Sequence, residues 1–212
     1  MQKILPYSKI TLQQALTTFH LTLVDQKFLP QTQPIEPSLY LQLALERGLP
    51  LALANDTEKA RSELLISPIL VEVKEILSGK IALFSGRDFD IDATQDLNGY
   101  CDFIISLQPE QVLISAPVAV IIEAKRDSLN AAMGQCVGAM IAAQRFNEVQ
   151  QKPITTIYGA ITTGDRWRFL QLQESLVSLD LEEYRIPPAD HLLGILVAIA
   201  QSQYPRSLQS ND

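Results

Sequence analysis

Cysteine is scarce in this chain. Cys101 and Cys136 are the only two in 212 residues, too few for a disulfide framework or a zinc cluster. The two histidines, His20 and His191, lie far apart in sequence. Long apolar runs are missing as well. The longest, 117–122 (PVAVII) and 192–200 (LLGILVAIA), fall short of the roughly 18–20 residues that a membrane-spanning helix needs, so no membrane partner is expected. The opening MQKILPYSKI has neither the apolar core nor the cleavage site of a secretory signal. Together these absences predict a cytoplasmic protein with reduced thiols. No basic arm or basic helix occurs. Charge is balanced over residues 1–80 and turns acidic after 81, giving a net charge of −7. A protein that grips nucleic acid by neutralising phosphates usually carries such a basic footprint. Internal repeats, long polar tracts, a P-loop, G-x-G-x-x-G and G-x-S-x-G are also missing.

With 47% hydrophobic and 19% charged residues, the chain can bury a proper core, and its length fits a single domain over 1–212. Residues 1–56 read as a mainly helical lead-in. Thr11 can cap a helix to about His20, and Ser38 one that ends near Gly48 before Pro50. Segment 55–77 has Leu65, Ile69, Val73 and Ile76 at helical spacing, with Asn55, Asp56 or Thr57 as cap and Glu58 favouring the helix dipole. Pro68 must interrupt or kink it. From residue 81 the period becomes two. Strands are expected at 81–92, 99–107 and 117–125, then a helix over 127–149. Strands at 154–163 and 166–172 should flank the tight turn Thr163-Gly164-Asp165. A strand near 175–181 and a helix over 189–202 close the chain. The order implies an α/β fold around one mixed sheet, with VAVII as a central strand covered on both faces.

Glu123 and Lys125 are the most informative residues. Two apart at the end of that apolar strand, they project from one face. If strands 99–107 and 117–125 pair antiparallel about a connection centred near 112–113, Asp102 falls opposite Glu123. Directly opposed residues lie about 4.5–5.5 Å apart, and two carboxylates at that distance repel unless a proton or cation is shared. Mg²⁺, with Mn²⁺ as a substitute, accepts one or two carboxylates and keeps its waters. Lys125 beside it could orient or help deprotonate an attacking water and stabilise phosphate charge. The plainer alternative is a solvated strand end, with Asp102 an edge residue.

These residues resemble the PD-(D/E)XK nuclease superfamily, with its restriction-endonuclease-like core of a helix, three strands, a helix and a further strand. GYCDFIIS matches the motif aspartate with Asp102, and VIIEAK matches (Asp/Glu)-x-Lys with Glu123 and Lys125. Cys101 replaces the motif proline. The resemblance covers about 58–172, between the helical lead-in and a C-terminal strand and helix at 175–203. It implies a divalent-metal-dependent nuclease acting on DNA rather than RNA, with Asp102 and Glu123 as metal ligands. Glu63 matches the extra glutamate of the first helix, as a ligand or catalytic helper, although an ion pair with Lys59 explains it equally well. Gln135 matches a glutamine on the helix after the motif, and is also readable as an ordinary helix residue. Its neighbours Gly134 and Gly138 suggest a helix lying tightly on the sheet. Arg126, Arg145, Arg166 and Arg168 are the cations expected near a phosphate path.

The acidic balance implies weak nucleic-acid binding in isolation, and the helix-rich ends offer surface for a homo-oligomer. It also keeps open a nuclease-fold module that binds a protein or nucleic acid without cutting. Asp88, Asp90 and Asp92 imitate the start of an EF-hand, but Ala93 and Gly99 occupy positions that need glycine and glutamate. Cys136 makes a weak nucleophile without a neighbouring histidine. Trp167 suits a strand core better than a base-stacking platform.

Overall fold

The computed structural model describes residues 6–91 and 97–203. After a 3₁₀ turn at Tyr7–Lys9 come α1 (Leu12–Thr18), β1 (Thr22–Asp25), α2 (Leu39–Asn55) and α3 (Glu58–Arg61). A π-helical turn, Ser62–Ile66, leads into α4 (Ser67–Ile76), followed by β2 (Ala82–Asp88), β3 (Tyr100–Ser106) and β4 (Val118–Ala124). The remainder is α5 (Leu129–Val149), β5 (Ile157–Thr162), β6 (Arg166–Gln173), β7 (Leu176–Leu179), β8 (Tyr184–Arg185) and α6 (Asp190–Gln201). Among the described residues, eight strands form one mixed sheet in the order β1-β7-β6-β5-β4-β3-β2, with β8 paired to β6. The β4–β5 and β1–β7 pairs are parallel and the others antiparallel.

Alternation along the strands builds two apolar layers. Ile121, Ile161, Leu170 and Leu172 face α5 together with Ile104. Val120, Ile122, Tyr158, Ala160 and Phe169 face the opposite way, toward α4 and α6. All of β4 is buried, as its unbroken apolar run requires. Trp167 belongs to the second layer and donates its indole N–H to the Gly164 carbonyl at 3.0 Å.

The expected cap at Thr11 is present as a full capping box with Gln14. Three expectations need correction. The lead-in is not purely helical, because Thr22–Asp25 pairs with β7 as an edge strand. Nor does α2 stop at Gly48. That residue lies within the helix because a Cβ there would come within 2.6 Å of the Leu64 carbonyl oxygen. Pro50 follows on the exposed side, where the Glu46 carbonyl, deprived of its usual donor, can turn to water. Gly134 and Gly138, finally, do not mark contact with the sheet. A Cβ on Gly134 would meet Ile10 O at 2.2 Å, and one on Gly138 would meet Tyr7 Cβ at 2.6 Å. The tight approach is to the N-terminal segment, which packs across α5.

Pro68 does disturb its helix. The disturbance takes the form of the preceding π turn, where the Ser67 N–H reaches back to the Ser62 carbonyl. Asp92 lies outside the described residues, and Asp90 caps the backbone N–H of Gly99 at 3.0 Å.

Gly134→Ala should destabilise the fold by about 1–3 kcal/mol, since the backbone it meets cannot yield as a side chain can. A fall in the urea midpoint at unchanged slope would register it, and an unchanged midpoint would contradict the close approach.

Candidate active site

The site lies at the C-terminal end of β4. Antiparallel pairing of β3 with β4 sets Phe103 opposite Ile122 and Ile104 opposite Ile121. One residue further on, the same register sets Asp102 opposite Glu123, as the sequence predicts. The Ala124 N–H donates to Asp102 Oδ2 at 2.8 Å, which fixes this carboxylate to the strand end. On the other side, the Lys125 N–H donates to the Thr162 carbonyl at 2.9 Å and prolongs the β4–β5 ladder into the motif. Sheet hydrogen bonding therefore places all three motif residues.

Glu123 is fully buried, and neither of its carboxylate oxygens has a hydrogen-bond partner. Burial pushes this carboxyl well above the usual carboxylate range. The Asp102 carboxylate adds to the shift by its charge, and Lys125 opposes it. Two ionised carboxylates cannot donate to each other. The direction of that shift favours the neutral carboxyl, which carries no charge against Asp102.

Lys125 is partly exposed. Its ammonium donates to the Ala124 carbonyl at 2.7 Å and lies 3.8 Å from Glu58 Oε1. Glu58 is the acidic residue that reading the sequence passes over as a site group. It occupies the first turn of α3, behind the cap Thr57, whose hydroxyl accepts from the Ala60 N–H at 3.1 Å. Desolvation raises the Glu58 carboxyl, Lys125 pulls it back down, and Asp102 raises it further. The influences of Lys125 and Asp102 tie Glu58 to the strand-end cluster. Its place in the first helical turn was the available signal, but the dipole alone accounts for an acidic residue there.

Glu63 is placed elsewhere. Its carboxylate pairs with Lys59 at 2.9 Å, in an exposed i,i+4 ion pair. The two other glutamates of this segment do not join the cluster either. Glu72 accepts from the Ser38 N–H and hydroxyl at 2.7 and 2.8 Å, and Glu75 is exposed on α4. Gln135 stands beside the cluster rather than in it. Its amide donates to the Tyr100 carbonyl at 3.2 Å, two residues before Asp102.

A second ionic knot, centred on the buried Arg61, supports α3. Arg61 Nη1 donates to the Thr163 carbonyl at 2.8 Å and to Asp165 Oδ1 at 2.9 Å, and Nη2 reaches Asp56 Oδ1 at 3.3 Å. This guanidinium pins the helix that carries Glu58 to the β5–β6 turn. The turn is itself closed by Gly164 N–H donating to Thr162 Oγ1 at 2.8 Å.

Most of the expected phosphate-path cations are engaged. Arg126 is held by Asp127 in a two-pronged pair, Arg145 by Glu148, and Arg168 by the Asp180 carbonyl. Arg166 reaches the Asp127 carbonyl at 3.3 Å and so stands with Arg126 near the same strand end. Cys136 is fully buried, and burial raises its thiol far above the ordinary range, Glu123 adding to the shift. That removes it as a nucleophile. Among the described residues, no helix is long and apolar enough to cross a membrane. No protein-family model and no curated protein matches this chain.

Glu123→Gln should stabilise the metal-free fold. The native carboxyl has its pKa raised on folding, so its penalty is absent below the unfolded value near 4.5 and grows as pH rises toward the folded value. Urea titrations of both proteins from pH 4 upward should diverge in that direction. Parallel curves would refute a strained Glu123.

Proposed function

We propose that this chain is a divalent-metal-dependent nuclease that hydrolyses phosphodiester bonds, with DNA as its substrate. The observation that carries the reading is Glu123, a buried carboxylate with no donor, opposed to Asp102 and followed by Lys125. The succession α4, three strands, α5 and β5 further supports a restriction-endonuclease-like core for residues of about 58–172.

Among the described residues, no three His, Cys, Asp or Glu side chains converge on one point as a ready-made metal cage. Mg²⁺ does not require one, because it binds through one or two carboxylates and retains several waters. Asp102 and Glu123 fit that demand, and the unpartnered Glu123 oxygens favour it. When bound, a divalent cation supplies Lewis-acid polarisation of a phosphoryl oxygen and lowers the pKa of a water.

The chain's own groups then have distinct tasks. Asp102, anchored by the Ala124 N–H, and Glu123, walled in by α5, present carboxylates in a fixed register. Lys125 offers an ammonium that orients the attacking water and stabilises charge gathering on the phosphate. Glu58 holds that ammonium at the strand end. Gln135 acts through the Tyr100 backbone and steadies the chain entering Asp102. Water adds to phosphorus as the bond to the leaving oxygen breaks, and the proton it loses is the one that the leaving oxygen requires.

The engaged arginines and the net charge of −7 favour a second reading, in which the same fold binds nucleic acid or a protein without cutting.

Cleavage of single- and double-stranded DNA and RNA in Mg²⁺ or Mn²⁺ separates the two. We expect metal-dependent cutting of DNA that Lys125→Ala lowers on the order of 10²–10³-fold. Equal cutting by native and Lys125→Ala protein would place the chemistry elsewhere. Metal and DNA binding by a chain that cuts nothing would favour the second reading.

A separate comparison isolates the helix glutamate. Glu58→Ala should lower the rate by roughly ten-fold or more, whereas Glu63→Ala should leave it within about two-fold, the cost of losing an exposed i,i+4 pair being small. The opposite order would reinstate Glu63.

A further inference from the structure

Nucleic acid can be held by charge or by stacking. Charge has little to offer at this strand end, since Arg126 and Arg166 are both tied to Asp127 and the net charge is −7. Stacking needs an exposed aromatic ring, and every base has a face to lay on one. Among the described residues, the most exposed rings are those of Tyr40 at 63% and Tyr100 at 47%. Tyr40 belongs to α2. Tyr100 opens the strand that carries Asp102, two residues before it.

The Tyr100 ring is held in place by its surroundings. Its backbone pairs with Asp88 of β2, and its carbonyl accepts from the Gln135 amide at 3.2 Å. The phenol tip lies over Gly86, where a Cβ would come within 2.3 Å of the Tyr100 hydroxyl oxygen. Glu63 raises the Lys59 ammonium and the Tyr100 phenol adds to that shift. The ring therefore stands near α3, the helix from which Glu58 approaches Lys125. Among the described residues, no second aromatic ring packs on it. A ring already fixed and uncovered loses little freedom when a base lies on it.

We propose that Tyr100 is a base-stacking residue that selects unpaired DNA for the site, an inference that rests on the nuclease reading. Two strand residues span roughly 6–7 Å, so a base on this ring belongs to a nucleotide beside the phosphate at Asp102. In a duplex that base is stacked on both sides and must first leave its neighbours, a cost that a single strand escapes. The substrate class is therefore single-stranded DNA and the unpaired parts of flaps and bubbles. Sequence matters little to such a contact, because a phenol ring accepts any base.

Fluorescence anisotropy of an oligothymidylate and of a blunt duplex of equal length tests this on the full chain. Ca²⁺ replaces Mg²⁺, so that binding is read apart from cleavage. The native chain should bind the single strand more tightly. Tyr100→Ala should weaken that binding roughly 5- to 150-fold and leave duplex binding within about two-fold. Tyr100→Phe, which keeps the ring, should retain the preference. A 2-aminopurine placed in the single strand should be quenched by the native chain and by Tyr100→Phe but not by Tyr100→Ala. Equal single-strand affinity of native and Tyr100→Ala protein, equal loss for both forms of DNA, or quenching that survives Tyr100→Ala would overturn the proposal, even for a chain that cuts DNA in Mg²⁺. Tyr100-dependent binding and quenching by a chain that cuts nothing would sustain the stacking role and overturn the nuclease reading alone.

Discussion

The cost of holding a carboxylate away from water is the constraint around which this molecule is arranged. Glu123 ends a strand that is covered on both faces, and the sheet offers it no donor. A buried, unpartnered charge is among the most expensive features a fold can contain. The neighbouring groups divide over that cost, Asp102 and Glu58 adding to it and Lys125 lowering it. Asp102 comes opposite by strand register, Lys125 follows two residues on, and Glu58 approaches from α3. No one of these groups would be placed sensibly without the others. The group is poorly explained as a contribution to stability.

Two separate pieces of scaffolding keep the cluster in position. On one side, Tyr7 and Ile10 run across α5 where Gly134 and Gly138 admit them. The Tyr7 hydroxyl donates to the Phe89 carbonyl at 2.9 Å, between the β2 edge and the strand that carries Asp102. On the other side, Arg61 binds the start of the long helical segment to the β5–β6 turn. The guanidinium is buried and multiply bonded, so losing it would strand the carboxylates and carbonyl it serves. The strand end is thus fixed from both faces of the sheet.

The sequence made the sheet legible because period-two alternation is a strong signal and the β3–β4 loop sets the register by its own symmetry. That was enough to bring Asp102 opposite Glu123. β1 escaped because four residues carry little pattern and their partner, β7, lies about 150 residues away in the chain. The length of α2 escaped because glycine and proline normally end helices. Here one admits a neighbouring carbonyl and the other faces solvent. The choice between Glu58 and Glu63 depended on which part of a helix meets the strand ends. Periodicity fixes positions around an axis, not the height at which a helix crosses a sheet.

The π turn at Ser62–Ile66 has one more consequence. A single wide turn inserts one extra residue into an otherwise α-helical path, so the two halves of the helix are out of phase by roughly one residue's rotation, about 100°. The downstream half is free to aim Ile69, Leu70 and Val73 at the sheet. The upstream half is free to aim Glu58 and Arg61 at the strand ends and the β5–β6 turn. A regular helix would couple the two directions, and any change that improved core packing would swing the polar residues away. The wide turn acts as an angular offset between the part of the helix that folds the protein and the part that serves the site, and it lets the two be adjusted separately.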